Sequence, residues 1–365
     1  MSNSSNVLAA IPESERATSV KDLQLGVMPS QRALGVKWNL ESDTFGFKVK
    51  VKEKPPSRRG ILSLVSSVYD PLGFASPFVL PAKVILQDLC CRGLKWDEVV
   101  PDENLKNWQQ WLRDLPRLEE FSVNRYFKLS GLGDASSCEL HHFSDASQVG
   151  YGAVTYLRLV NESGQIHCTF VMSKARVVPL KRITIPRLEL SVATVSVRLD
   201  KMVKRELELA VDQSFFWTDS TSVLKYVTNS HTRFRTFVAN RLPQIHDCSS
   251  PSQWRYVPLK LKPADDAWKG LKVYELFTNS SGKVGPPFLW QSEDKWPSYP
   301  GVEEFLSICK LTSEKSFGRV NKNYCILWYC LSEDDPEVKK DAKVGGVLSD
   351  GDAIQVDQLL EIFSS

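Results

Sequence analysis

Four acidic residues, each within its own short motif, are the ones in this chain best suited to chemistry. They are Asp145 in HHFSDASQVGYGAV, Glu189 in TIPRLELSV, Asp219 in FFWTDSTSVLKY and Asp265 in WRYVPLKLKPADDAW. Asp145 and Asp219 end apolar runs of β type. Glu189 opens a long helical pattern, and Asp265 follows a strand-like run and a proline. This placement predicts four carboxylates at the C-terminal edge of one sheet. Four converging carboxylates cannot all stay ionised without cations beside them. Hard divalent ions with oxygen ligands, Mg2+ above all, are the natural counterions. Two such ions roughly 4 Å apart cleave phosphodiesters by in-line attack. The expected cofactor is therefore a pair of Mg2+ ions, for which Mn2+ can substitute.

Each acid also has a local explanation. SDAS fits an Asx turn between two strands. Glu189 favours the dipole of its helix from the first turn. Asp219 and Asp265 fit N-cap positions, and Asp266 stands beside Asp265 as an alternative ligand. Glu189 nevertheless shares a stripe with Val192 and Ala193, and a carboxylate on an inward face is costly without a partner. The order of the four acids, in step with the strand and helix pattern, argues for one site. Ser147, Gln148 and Ser220 lie close to the acids in sequence and are candidates for substrate contact. Arg187, Lys181 and Arg182 are candidates for phosphate contact. Gly150 and Gly152 open the strand after Asp145, where a side chain would crowd the site.

The elements needed to hold these acids are legible as patterns. Strand-like runs occur at CELHHFS, YGAVTYLRLV and IHCTFVMSK. A helical pattern follows in PRLELSVATVSVRLDKMVKRELELA, with Pro186 suited to a first turn. Then come a strand SFFWT, helices STSVLKYV and RFRTFVANRLPQI, a strand WRYVPL and a closing helix from PADDAW. Three leading strands predict an antiparallel meander, and strands reached through helices add in parallel. The predicted fold class is α/β: a mixed five-stranded sheet with flanking helices over residues 117–275. A smaller, mainly helical domain with a β-hairpin precedes it over 31–116. Within that domain Pro71, Pro77 and Pro81 predict breaks in the helical stretch, and DENLKNWQQWLRDLPRLEEF is an amphipathic helix with Trp108, Trp111 and Leu112 on one stripe. Residues 1–30 read as a flexible segment and 276–365 as an irregular, partly disordered region.

Composition narrows the classes. The chain has 365 residues and a net charge of only +3, with 42% hydrophobic and 24% charged residues. It is not a strongly basic binder as a whole, although KARVVPLKR and RFRTFVANR form local cationic stretches suited to a polyanion. The eight cysteines form no CxxC pair, so neither a zinc finger nor a secreted disulfide scaffold is expected. Cys138 and His141 have C-x-x-H spacing but no second pair. His231 and His246 fall between the third and fourth acids and read as surface histidines, while Trp108, Trp111 and Trp217 read as core. The N-terminal residues lack a signal-peptide pattern, and no apolar run reaches about 18 residues. A soluble, intracellular protein is expected, cytoplasmic or nuclear, with no membrane partner.

FSDAS…GYGAV, LKRITIPRLEL, FWTDSTSVL and WRYVPLKLKPAD resemble the ribonuclease H domain of BEL/Pao-type retrotransposon polyproteins. LGVKWNLESDTFGF, RRGILSLVSSVYDPLGFASPFVLPAKVILQDLC and WDEVVPDENLKNWQQWL resemble the segment that follows the reverse-transcriptase palm in the same polyproteins. GPPFLW resembles their continuation. The likeness covers roughly residues 5–292. It implies that Asp145, Glu189, Asp219 and Asp265 match the family's metal-binding acids, and that the substrate is the RNA strand of an RNA–DNA hybrid. It further implies Asp145 bridging both ions, Glu189 and Asp219 on the leaving-group side, and Asp265 beside the attacking water. The palm's paired-aspartate motif is absent, so no polymerase activity is expected from this chain. Two departures stand out. His142 occupies a strand position where an apolar residue is expected, and Lys262 replaces the asparagine of the family's NPAD step. An inactive remnant that binds nucleic acid or a protein partner is the alternative reading. An aspartic peptidase would need an Asp-Thr/Ser-Gly turn, and TDSTS lacks the glycine.

Overall fold

The computed structural model describes residues 12, 30–33, 36–39, 42–49, 51–127, 132–181, 183–207, 210–229, 234–263 and 280–299. Asp265 and the helix expected from PADDAW lie outside the described residues, as do Arg182, His231, residues 1–11 and 300–365.

Three long strands begin the large sheet: β5 (Ala135–Ala146), β6 (Gly150–Asn161) and β7 (Ile166–Val177). They make an antiparallel meander. β8 (Gln213–Thr218) and β9 (Trp254–Tyr256) then add in parallel beside β5, giving the order β7-β6-β5-β8-β9. This is the mixed five-stranded sheet that the sequence predicts. The fold class is α/β. A smaller antiparallel sheet joins β1 (Ser30–Ala33), β2 (Val36–Asn39), β3 (Thr44–Gly46) and β4 (Ser122–Asn124). The predicted hairpin is its β2–β3 pair. Asp43 turns that hairpin with φ at +49°, and Arg125 and Trp38 both donate to its carboxylate.

Among the described residues three α-helices precede the large sheet: α1 (Arg58–Val65), α2 (Ser76–Cys91) and α3 (Asp102–Asp114). On α3 the apolar stripe buries Trp108 and Trp111 against α1 and α2, and Trp111 donates its indole N–H to the Phe78 carbonyl at 2.8 Å. Each such large side chain contributes about 1.5–3 kcal/mol by leaving water. The breaks expected at Pro77 and Pro81 do not occur. Pro77 is the second residue of α2, where a missing N–H leaves no helical bond unmade. Pro81 removes only the bond to the Pro77 carbonyl, and burial of Phe78, Val79, Leu80 and Ala82 carries the helix through. α2 packs along β7. The joint is tight: Ser173 donates its backbone N–H to the Leu72 carbonyl and its hydroxyl to the Gly73 carbonyl.

α4 (Ile185–Glu206) lies on one face of the large sheet, over β5 and β6. α5 (Thr221–Thr228) follows β8 directly. The single helix expected from RFRTFVANRLPQI is two, α6 (Thr236–Ala239) and α7 (Leu242–Cys248). Pro243 lacks the N–H that would bond to the Ala239 carbonyl, so the chain restarts there. On the opposite face Phe143, Tyr156, Phe215 and Trp217 pack under Phe288, Leu289 and Trp296, residues that return from beyond a short helix α8 (Ser280–Val284). No helix among the described residues is long and apolar enough to cross a membrane.

Candidate functional site

Asp145 and Asp219 meet because of strand register. Phe143 on β5 pairs in parallel with Trp217 on β8. Two residues on stand Asp145, still within β5, and Asp219, the first residue past the end of β8. Both therefore emerge side by side at the C-terminal edge, where open α/β sheets commonly bind ligands. Asp145 is buried and accepts the Ala146 backbone N–H at 2.8 Å. Asp219 directly follows β8, and Ser220 after it caps α5, its hydroxyl accepting the Val223 N–H.

Glu189 reaches the same place from α4. Ser220 donates its hydroxyl to Glu189 Oε2 at 2.6 Å. One serine thus fixes both the start of α5 and the direction of the glutamate. Burial pushes the Glu189 carboxyl up to about 7, against the Ser220 hydrogen bond, with Asp219 and Asp145 adding repulsion. Burial likewise pushes Asp145 up to about 6, with Lys262 opposing the rise and Asp219 assisting it. Three of the four predicted acids are therefore gathered in one site, and the fourth, Asp265, lies outside the described residues.

Lys262 is the residue whose role the sequence left open. β9 runs parallel to β8, and Val257 donates its backbone N–H to the Thr218 carbonyl. A short 3₁₀ turn over Leu259–Leu261 then carries Lys262 across the sheet edge. Its side chain is fully buried, and Nζ lies 2.7 Å from Asp145 Oδ1 and 2.6 Å from Asp219 Oδ1. These are close ion pairs rather than well-aligned hydrogen bonds. The signal in the sequence was a change of charge, lysine in place of the family's asparagine, three residues before an expected ligand.

The donor chemistry of Asp145, Glu189 and Asp219 suits a hard divalent ion. Two of the oxygens such an ion would need are already held by the Lys262 ammonium. Among the described residues no group of three His, Cys, Asp or Glu is arranged to hold a metal. With the Lys262 ammonium on two of them, the acids as they stand do not fit Mg2+.

The remaining candidates divide. The Ser147 hydroxyl is committed to its own turn: it donates to the Gly150 carbonyl and accepts the Val149 and Gly150 N–H groups. Gln148 and Lys181 are exposed. Arg187, two residues before Glu189, places its guanidinium 5.2 Å from the Phe237 ring centre, and Arg241 stacks on the same ring at 3.6 Å. Burial, together with repulsion from Arg198 and Arg187, holds Arg241 below its ordinary range. A cationic cluster therefore flanks the acids on the α4 side. His246 is exposed on α7. Cys138 and His141 sit three apart on β5 and so point to opposite faces, which rules out joint ligation. Gly152 is needed not for space at the acids but for β7, since a Cβ there would lie 2.6 Å from the Lys174 carbonyl oxygen.

No curated protein matches this sequence significantly. Among solved structures it is similar to an RNase H1 from the halophilic archaeon Halobacterium salinarum NRC-1, at 15% identity, covering 39% of this chain and 99% of that one, with a TM-score of 0.25. It is similar to LC11-RNase H1 in complex with an RNA/DNA hybrid, at 9% identity over 38% of this chain and 99% of that one, TM-score 0.27. A foamy viral protease-reverse transcriptase in complex with double-stranded DNA matches at 14% identity over 63% of this chain and 37% of that one, TM-score 0.36. Residues 57–220, just under half of the chain, match the family model described as Pao retrotransposon-like RNaseH-like domain, a span that includes Asp145, Glu189, Asp219 and Ser220 and stops short of Lys262.

Proposed function

We propose that this protein is a retroelement-derived ribonuclease H-like protein that binds RNA–DNA hybrids and hydrolyses their RNA strand. The observation that carries the reading is the convergence of Asp145, Glu189 and Asp219, from three separate elements, on one edge of the sheet. Divalent ions bound by these acids and by Asp265 would supply an activated water and charge stabilisation at the leaving oxygen. The chain's own residues do the rest. Ser220 orients Glu189. Burial at the sheet edge keeps bulk water from the carboxylates. Arg187, with Arg198 and Arg241 near it, gives a polyanion a cationic bank along α4. Hybrid recognition of this kind uses phosphates and 2′-hydroxyls rather than base edges. The helical part before the large sheet is read as the post-palm segment of a pol polyprotein.

One observation favours a second reading, a hybrid-binding remnant without turnover: the Lys262 ammonium on two of the three acids. A labelled RNA–DNA hybrid incubated with the protein and Mg2+ separates the two. Cleavage that is lost in Asp145→Asn supports the nuclease. Salt-sensitive binding with no product, the same in Asp145→Asn, supports the remnant.

A further inference from the structure

We propose that Lys262 is a resident cation of the acidic site, a tethered ammonium that occupies the position of a divalent ion and must leave before one can bind. The inference rests on reading Asp145, Glu189 and Asp219 as the acids of a nuclease centre.

The geometry is specific. A lysine side chain with no exposed surface points into the molecule and ends within 2.7 Å of one aspartate and 2.6 Å of another. Burying a lone ammonium is costly, as is burying neighbouring carboxylates. Each offsets the cost of the other, so the site is stable without any metal. A free Mg2+ ion brings twice the charge but gives up its water shell reluctantly. The ammonium is already part of the chain and pays no entropy of association. A site with an asparagine at this position would have no such competitor.

The consequence is a metal affinity set by displacement. Mg2+ or Mn2+ must break two short ion pairs and force a buried lysine into solvent. Removing the charge while keeping a polar side chain of similar reach should reverse the order of events. Lys262→Gln would leave the acids mutually repelling without metal and open to it.

Two measurements on the full chain test this. In the first, Mn2+ binding to wild type and Lys262→Gln is followed by electron paramagnetic resonance, and melting temperature is recorded in EDTA and in Mn2+. The variant should bind Mn2+ roughly ten- to a hundred-fold more tightly. It should melt below wild type in EDTA and regain more than wild type when Mn2+ is added. Equal affinities, or no binding by either protein, would overturn the proposal. The second needs no variant. Wild type is acetylated in EDTA and in excess Mg2+, and modification is located by mass spectrometry. Lys262 should be protected in EDTA relative to the exposed Lys260 and become reactive in Mg2+. Equal labelling of the two lysines in EDTA would overturn it. Hybrid cleavage enters neither readout, so an inactive protein leaves this inference standing, and a reactive Lys262 ends it with the nuclease reading intact.

Discussion

Trp217 donates its indole N–H to Nδ1 of His141 across 3.1 Å. An indole nitrogen only donates, so Nδ1 is the bare acceptor and the ring proton sits on Nε2, facing the Glu139 carboxylate at 3.1 Å. A second proton would have to enter between two N–H groups at a fully buried ring. Burial accordingly holds His141 down to about 4, against the pull of Glu139.

The pH dependence follows from that shift. In the unfolded chain the group titrates near 6.5. Between those two values the unfolded state takes up a proton that the folded state refuses. The stability is therefore fully present above about pH 6.5 and is lost as the pH falls toward 4. The loss amounts to roughly 3 kcal/mol over the whole window. Urea denaturation at pH 7 and at pH 4.5 should show most of it. His141→Gln should flatten the difference between the two pH values, and an unchanged pH dependence in that variant would remove His141 as the cause.

Ser220 links two elements through one hydroxyl. It accepts the Val223 N–H as the N-cap of α5 and donates to Glu189. Ser220→Ala removes both bonds. Loss of the cap costs about 1 kcal/mol, and a buried carboxylate left without its donor adds a similar amount. The urea midpoint should fall with the slope unchanged. A midpoint equal to wild type would mean that water or a neighbour replaces the serine at both bonds.

His142 is the strand residue whose polarity the sequence pattern did not anticipate. It is buried, stacks on Phe216, and bonds through Nε2 to Asp200 and through Nδ1 to Thr155. Burial raises the Asp200 carboxyl, but His142, Ser214 and Lys204 outweigh it and hold the group at about 2. An apolar replacement such as His142→Leu suits the strand in isolation. In the molecule it strips a buried carboxylate of its main partner, so we expect a loss of about 3 kcal/mol rather than a gain. The double variant His142→Leu with Asp200→Leu should recover part of that loss. A single variant as stable as wild type would show that Lys204 and Ser214 suffice.

What was legible in the sequence was local. β5 through β8 are apolar runs bounded by turn residues, and their order dictates the mixed sheet. Asp145, Glu189 and Asp219 were legible because each ends or opens such an element. Pro77 and Pro81 misled because the pattern registers a proline but not its position in the first turns of a well-buried helix. The partners of His142 and Lys262 were not legible, because each depends on register between segments far apart in the chain. His142 meets Asp200 from 58 residues away. Lys262 meets Asp219 only because β9 runs parallel to β8. GPPFLW gave no period from which its return to the sheet could be read.

One side chain on the sheet makes two hydrogen bonds to that return. Arg158 on β6 donates from Nε to the Leu289 carbonyl at 2.8 Å and from Nη2 to the Gln291 carbonyl at 3.0 Å. Its third donor, Nη1, meets Glu139 Oε2 at 2.9 Å, and the guanidinium lies 5.3 Å from the Trp296 ring centre. Arg158→Met keeps the length and the apolar stem but removes every one of these bonds. Glu139 is then left with only His141 and Ser137, and the Leu289 and Gln291 carbonyls over the sheet keep only the weaker Cys168 thiol and Trp296 indole donors. Breaking a buried pair from one side costs about 3–5 kcal/mol. Residues 287–296 make few backbone bonds to the sheet of their own, so the cost should fall first on their docking. Hydrogen exchange across that segment should rise well before exchange in β5 and β6 changes. Exchange rising evenly through the sheet would mean that Arg158 stabilises the core as a whole rather than the segment that covers it.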